Sequence, residues 1–301
     1  MSQPKHFLRI LDLEQSEAHA LVDRAMEMKR TAHRGHVLDG REVVLLFEKA
    51  STRTRVSFEV GVRQLGGSTL FMTQRESQLG RSEPLRDTAR VLSRYVDCLV
   101  VRTFGQTVLD ELTHYADIPV VNALTDEYHP CQVMSDLLTI FERTGTFEGV
   151  RVAWVGDGNN MANSWINASV YFPFELTLAC PEGYDPDPNV LAYAQSQGAR
   201  LSLSRDPEQA VDGAHFVNSD VWASMGQEAE RAERERVFAD FQINRDLLAA
   251  ADRDVKVMHC LPAHRGEEIT DEVMESDMAL VWDQSENRLH MQKAILEWLF
   301  T

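Results

Sequence analysis

Apolar residues in this chain occur in two patterns, short continuous runs and helical spacing, and the two patterns alternate along its length. The runs predict strands buried on both faces, as in a parallel sheet. The predicted strands are residues 43–47, 69–72, 98–101, 120–121, 152–155, 176–179, 215–218, 255–258 and 279–282.

Helical spacing fills the intervals between these runs. A helix capped by Ser16 is predicted to bury a face that includes Leu21 and Met26, and a helix over 53–65 should end at Gly66-Gly67. A longer helix is predicted over 132–143, and the last over 288–299. The other helices are predicted to begin near Pro84, Gln106, Asn160, Pro188, Glu228, Asn244 and Asp271.

Two successive series of alternating strands and helices predict an α/β protein of two domains. Each domain should hold a mainly parallel sheet flanked by helices, and interdomain helices should join the two. The pattern places the junction near residues 130–145.

The excess of acidic over basic side chains limits the kinds of molecule that the protein is expected to bind. The chain has 301 residues, with 30 basic and 47 acidic side chains and a formal net charge of −17. This balance argues against nucleic acid or an anionic membrane surface as a partner. An anionic substrate would therefore need a local basic pocket. The four cysteines are scattered, no apolar run is as long as a membrane span and no signal peptide is evident, so we expect a cytoplasmic protein.

Three polar segments follow predicted strands of the first half, where ligands of parallel sheets bind. The segment Ser51-Thr52-Arg53-Thr54-Arg55 opens a helix and offers hydroxyls, backbone N–H groups and charge to a phosphate. A capped helix with two solvated arginines is the alternative. Arg102 ends another strand, and the segment His129-Pro130-Cys131-Gln132 opens the long helix with groups that can hydrogen-bond a carbonyl or an amide.

The second half offers amides, one acid and one thiol at its strand ends. The segment 156–160 superficially resembles a dinucleotide fingerprint, but Met161 occupies the third glycine position and no acid ends the next strand. Asp220 is suited to an ammonium group, or else caps a turn. Cys260 is either a nucleophile or a small packed side chain, and the residue type favours the second. His259, Cys260 and His264 do not complete a metal-ligand set, so no metal is predicted.

Taken together, these segments resemble the carbamoyltransferase family, and within it the ornithine branch. They follow the family order, span nearly the whole chain and show no departure at the motif positions. The matching segments are 51–55, 129–132, 157–161, 220–226, 259–262 and 286–290.

The resemblance implies a carbamoyl phosphate-binding domain, residues 1–133, with the C-terminal helix 286–301 packed back on it. Arg102, His129 and Thr54 would hydrogen-bond the carbamoyl oxygen as it gains negative charge. Gln78 would reach the phosphate of a neighbouring subunit, which implies a homotrimer or a multiple of trimers. The complete implied set for carbamoyl phosphate is Ser51, Thr52, Arg53, Thr54, Gln78, Arg102, His129, Gln132, Cys260, Leu261 and Arg288.

The resemblance also implies an ornithine-binding domain, residues 134–285. Asn160, Asp220, Ser224 and Met225 would hold the α-amino and α-carboxylate groups of ornithine. The δ-amine would attack the carbamoyl carbon directly, with Cys260 and Asp220 assisting removal of its proton. Arg102, His129, Cys260 and Asp220 are thus the implied catalytic residues, and no cofactor is implied.

Two other kinds of acceptor and one non-catalytic role are alternatives to ornithine carbamoyl transfer. Aspartate as acceptor is disfavoured, because its two carboxylates require arginines where this chain has Asp220, Met225 and Cys260. Putrescine, lysine or an N-acylated ornithine remain possible acceptors. A non-catalytic paralogue that binds metabolites is the alternative from a different class.

Overall fold

The computed structural model describes residues 4–73, 83–223 and 228–301 and divides the chain into two compact units. The first unit comprises Met1–Leu138 with Asn287–Thr301, and the second comprises Thr139–Glu286. No helix in the described part of the chain is long and apolar enough to cross a membrane.

The first unit is built on a four-stranded parallel sheet, whose strands lie in the order β2 (Ser68–Thr73), β1 (Glu42–Phe47), β3 (Cys98–Arg102) and β4 (Val120–Leu124). Strands β1 and β3 are almost completely buried, as their continuous apolar runs predict. Leu99 and Val101 of β3 pack with Leu109 and Leu112 of a flanking helix. In chain order the elements are α1 (Gln15–Arg30), β1 (Glu42–Phe47), α2 (Thr52–Gln64), β2 (Ser68–Thr73), α3 (Leu85–Leu92), β3 (Cys98–Arg102), α4 (Gln106–Tyr115), β4 (Val120–Leu124) and α5 (Pro130–Thr144).

The second unit is built on a five-stranded parallel sheet, whose strands lie in the order β7 (Leu201–Ser204), β6 (Glu175–Ala179), β5 (Arg151–Val155), β8 (Phe216–Ser219) and β9 (Lys256–His259). The division between the units falls within α5 and within the last helix, α12 (Val281–Phe300). The elements are β5 (Arg151–Val155), α6 (Asn160–Tyr171), β6 (Glu175–Ala179), α7 (Pro188–Ser196), β7 (Leu201–Ser204), α8 (Pro207–Val211), β8 (Phe216–Ser219), α9 (Arg231–Val237), α10 (Arg245–Leu248), β9 (Lys256–His259), α11 (Asp271–Met274) and α12 (Val281–Phe300).

The α/β prediction with two parallel sheets is confirmed, while four details differ. The strand predicted over 279–282 is wrong: Ala279 makes an isolated bridge to Val257, and α12 already begins at Val281. A short apolar run is equally compatible with the first turn of a helix. Ser16 lies inside α1, because Glu14 is the N-cap and its N–H donates to Glu17 Oε2 at 2.9 Å. Strand β7 and helix α8 were not predicted.

Gly66 and Gly145 lie just after the C-terminal ends of α2 and α5, and alanine substitutions there test how much a glycine at each position contributes to stability. Both have positive φ, +92° and +68°, but a Cβ on Gly66 would lie 1.9 Å from Asp39 Oδ1, whereas nothing lies within 4 Å of the Cβ position at Gly145. We expect Gly145→Ala to lower the free energy of unfolding by about 1 kcal/mol through backbone strain, and Gly66→Ala by about 2–3 kcal/mol because the contact adds to that strain. Urea unfolding measures both losses. Equal losses would show that Asp39 moves aside without cost.

Candidate active site

The N-terminus of α2 forms a polar site in the first unit. Loop residues 48–51 lead from the buried β1 into the helix, and Ser51 is the N-cap, whose Oγ accepts a hydrogen bond from the Thr54 N–H at 3.3 Å. First-turn N–H groups have no acceptor within a helix, so they and the positive end of the helix dipole favour an anion. The Arg53 Nε is buried and has no hydrogen-bond partner among the described residues.

Three further cationic or polar residues lie against this site. Arg288, on α12, donates from Nη2 to Thr54 Oγ1 at 2.5 Å, and both side chains are buried. Arg102 ends β3, and His129 immediately precedes α5; both are buried. Burial lowers the pKa of His129 well below its usual 6.5, and the charges of Arg288 and Arg102 lower it further. His129 is therefore neutral at neutral pH and donates from one ring nitrogen only.

Gln132 presents a carbonyl oxygen from the first turn of α5. Its Nε2 donates to Asp136 Oδ1 at 2.8 Å, one helical turn further on, while its buried Oε1 has no partner in the described part of the chain. Because the bond to Asp136 fixes the amide orientation, Gln132 offers an acceptor. Arg102 and Arg288 thus lie near His129 in the same unit, and Arg288 also contacts Thr54.

A carboxylate and a thiol are the central pair in the second unit. Asp220 follows β8, and its Oδ1 accepts hydrogen bonds from Cys260 Sγ at 2.8 Å and from the Val221 N–H at 2.8 Å. Its Oδ2 accepts from Asn159 Nδ2 at 3.1 Å. Asn159 also caps α6 by accepting from the Met161 N–H. The ends of β5, β8 and β9 therefore meet around one carboxylate.

The loop after β9 is held by a buried histidine and glutamate. His259 Nδ1 accepts from the Leu261 N–H at 2.9 Å, so its proton lies on Nε2, which donates to Glu268 Oε1 at 3.0 Å. Glu268 Oε1 also accepts from the His264 N–H at 2.6 Å. Asp220, His259 and Cys260 each bring a potential metal-ligating atom within 4.8 Å of the others. Both histidine nitrogens are already engaged, however, which is unlike a metal ligand.

Asp157 and Arg234 form a buried pair beside these residues that sequence reasoning missed. Arg234 Nη1 donates to Asp157 Oδ2 and to the Trp222 carbonyl, both at 2.8 Å. Burial raises the pKa of Asp157, and the Arg234 charge opposes that rise. The pair thus joins the β5–α6 turn to the segment that follows Asp220.

Cys260 differs from the other three cysteines in its exposure. Cys98, Cys131 and Cys180 are buried, whereas Cys260 is partly exposed. Burial raises the pKa of Cys131 to about 12 and raises that of Cys98 and Cys180 further. Those three thiols are therefore protonated at neutral pH, and Cys260 is the cysteine that a substrate can reach.

Other predicted site residues fall into two groups. Gln78, Ser224 and Met225 lie outside the described residues. Asn160 is the first residue of α6 and is partly exposed, next to the Asn159 that contacts Asp220. The sequence singled out Asn160 and not Asn159, although an asparagine at a strand-to-helix turn is itself a capping signal.

Comparison with known protein families identifies the family of this chain. Residues 5–142 match the model of the carbamoyl phosphate-binding domain of aspartate/ornithine carbamoyltransferases, and residues 148–299 match the model of the Asp/Orn-binding domain. The chain belongs to the aspartate/ornithine carbamoyltransferase family. The resemblance predicted from the sequence motifs is thereby confirmed.

Individual members of the aspartate/ornithine carbamoyltransferase family are similar over their full length. The ornithine carbamoyltransferase of Nitratidesulfovibrio vulgaris strain DP4 is 66% identical over 298 residues, which is 99% of each chain. That of Oleidesulfovibrio alaskensis is 64% identical, covering 98% of each chain. Among solved structures, ornithine carbamoyltransferase from Pyrococcus furiosus is 44% identical, with a TM-score of 0.93, covering 98% of this chain and 96% of that one. The Thermus thermophilus enzyme is 40% identical over all of both chains, with a TM-score of 0.91.

The neutral, buried His129 predicts a loss of stability in acid. Because its pKa is lowered in the folded state, the unfolded chain binds the extra proton below about pH 6.5, and stability falls as the pH falls through this window. Between pH 7.5 and 5.5 we expect this residue to contribute about 1 kcal/mol of the loss. His129→Gln should remove that contribution, measured by urea unfolding at both pH values. His114→Gln, at an exposed site on α4, is the control, and an equal effect of both variants would contradict the assignment to His129.

Proposed function

We propose that this chain transfers the carbamoyl group of carbamoyl phosphate to the δ-amine of L-ornithine, which yields L-citrulline and phosphate. The observation that carries the proposal is the Asp220 carboxylate, which Asn159 and Cys260 hold at the strand ends of the second unit. A carboxylate is complementary to an ammonium group and repels a dicarboxylate. Family relatives with full-length similarity carry the name ornithine carbamoyltransferase.

In the proposed mechanism, the first unit binds carbamoyl phosphate. The N-terminus of α2, with Ser51, Thr52, Arg53 and Thr54, receives the phosphate. Arg102, the neutral His129 and Thr54 donate to the carbamoyl oxygen, where negative charge develops in the transition state. The remaining contacts orient the carbamoyl group: they are the Gln132 acceptor, Arg288 and the Leu261 carbonyl.

The second unit binds and deprotonates ornithine in this proposal. Asn160, Asp220, Ser224 and the Met225 backbone hold the α-amino and α-carboxylate groups. An alkylammonium has a pKa of about 10, so the δ-nitrogen must lose a proton before its electron pair can attack. The Cys260–Asp220 hydrogen bond provides a path for that proton. The new C–N bond forms a tetrahedral intermediate; the C–O bond to phosphate then breaks, and the departing phosphate takes the electron pair of that bond and the second proton of the attacking nitrogen. All these steps are positioning, charge stabilisation and proton transfer, and the proposal includes no cofactor and no metal.

The acceptor is tested by measuring citrulline formation with carbamoyl phosphate and ornithine, with putrescine, lysine, N-acetylornithine and aspartate in parallel. We expect turnover with ornithine alone. Turnover with another amine would keep the first-unit assignments and overturn those of Asn160, Asp220 and Ser224. No turnover with any acceptor would favour a non-catalytic paralogue.

Cys260→Ala tests the proton path. We expect kcat to fall by about 10²-fold, because proton removal from the δ-ammonium loses its positioned partner, while the KM for carbamoyl phosphate changes little. Initial rates of citrulline formation measure both parameters. Cys131→Ala, which changes a buried thiol, is the control for loss of a cysteine. An unchanged kcat in Cys260→Ala would remove this residue from the mechanism.

The proposal extends to assembly and location: the chain forms a cytoplasmic homotrimer, or a multiple of trimers, in which Gln78 completes the phosphate site of a neighbouring subunit. If so, Gln78→Ala and Arg102→Ala subunits should complement each other, because a shared site needs one residue from each subunit. Co-expression in equal amounts should restore about a quarter of the wild-type sites by random assembly. Activity no higher than that of either variant alone would contradict the shared site.

A further inference from the structure

Helices α2 and α12 cross closely at a glycine within the first unit. A Cβ on Gly61 of α2 would lie 3.3 Å from Lys293 Cγ and 3.6 Å from Leu289 Cδ1. Leu289 and Lys293 are four residues apart and therefore share one face of α12. Gly61 lies seven residues after Thr54, about two turns, so the same face of α2 carries the crossing and the contact between Thr54 and Arg288.

Lys293 is a buried amine whose hydrogen-bond partners among the described residues are both uncharged. Its side chain is 1% exposed, and its Nζ donates to the His33 carbonyl at 2.8 Å and to Gln64 Oε1 at 3.0 Å. In the described part of the chain no acid forms an ion pair with it. Burial lowers its pKa, and the nearby charges of Arg34 and Arg24 lower it further. Burying an amine here is unfavourable by itself, which points to a role other than stability.

The two hydrogen bonds of Lys293 fix α12 along the length of α2. Gln64 is the last residue of α2, and Thr54 lies in its first turn. The two helices are therefore joined at both ends of α2, by Lys293–Gln64 and by Arg288–Thr54, with the close approach at Gly61 between them. A shift of α12 along this contact would move Arg288 away from Thr54 and His129.

We propose that Lys293 is a positioning residue for carbamoyl phosphate binding: by anchoring α12 on the Gly61 face of α2, it sets the place of the Arg288 guanidinium in the site. The inference rests on the proposed function, because it takes Arg288 as a ligand of carbamoyl phosphate. Lys293 itself does not touch the substrate. Its effect passes through the position of one helix.

Lys293→Met tests the inference, since it keeps an unbranched side chain over Gly61 and removes both hydrogen bonds. We expect the KM for carbamoyl phosphate to rise by about 5- to 10-fold and the KM for ornithine to stay within about twofold. The thermal midpoint should not fall, because an apolar group replaces a buried amine. The control is Trp298→Phe, also on α12, which removes the 2.9 Å hydrogen bond from Trp298 Nε1 to Glu17 Oε1 of α1 and does not involve α2. It should leave both KM values within about twofold.

A double-mutant cycle separates positioning from general stability. In an Arg288→Lys background, Lys293→Met should change the KM for carbamoyl phosphate by less than about twofold, since it acts through the residue already altered. Full additivity, or an unchanged KM in Lys293→Met alone, would overturn the inference. An unchanged KM in Arg288→Lys alone would instead overturn the proposed role of Arg288 in carbamoyl phosphate binding.

Gly61→Ala reaches the same contact from the other helix and covers the case in which Lys293→Met fails to fold. The added Cβ crowds Lys293 Cγ, while alanine favours the helix more than glycine does. We expect a rise of about 2- to 5-fold in the KM for carbamoyl phosphate, without a fall in the thermal midpoint. An unchanged KM would contradict the proposed coupling between the crossing and Arg288.

Discussion

The site residues of both sheets lie at the carboxyl ends of buried parallel strands or in the loops just beyond them, and the rest of the site depends on this placement. Strands β1 and β3 are apolar and enclosed almost throughout, and Arg102 and the α2 N-terminus follow directly at their carboxyl ends. In the second sheet, Asp220 and Cys260 follow β8 and β9. Burial of the strands thus determines where the chemistry lies, because the carboxyl ends of parallel strands share one edge of the sheet.

Charge is arranged differently at these two edges. The chain carries a formal net charge of −17, yet the first unit places Arg102 and Arg288 against His129. Burial, reinforced by their charges, lowers the pKa of that histidine and keeps it neutral, so it donates a hydrogen bond without adding a further buried cation. The second unit instead places the Asp220 carboxylate at its strand ends, held by Asn159 and Cys260. This arrangement of charge supports the proposed binding of an anionic carbamoyl donor in the first unit and of a cationic acceptor in the second.

Apolar runs predict the strands well, because a strand that is buried on both faces requires apolar residues at consecutive positions. Strand β7 escapes prediction since Leu201–Ser204 alternates with serines and is partly exposed at the sheet edge. Arg53 is predicted from the polar segment that opens the helix after β1, whereas the role of Arg288 is implied only by the motif resemblance. Contacts such as His259–Glu268 or Asp157–Arg234 depend on tertiary folding, so no local pattern reveals them. The Gln132–Asp136 hydrogen bond is the exception, because residues four apart on a helix are neighbours on its surface and their contact can be predicted.

The central claim is that the first unit recognises the carbamoyl donor and the second recognises the amine. The most direct test is to compare the two KM values in Arg102→Met and in Asp220→Asn by initial rates of citrulline formation. The account predicts that Arg102→Met raises the KM for carbamoyl phosphate and leaves the KM for ornithine nearly unchanged, while Asp220→Asn does the reverse. If Asp220→Asn raised only the KM for carbamoyl phosphate, or Arg102→Met only that for ornithine, this division of roles would be wrong.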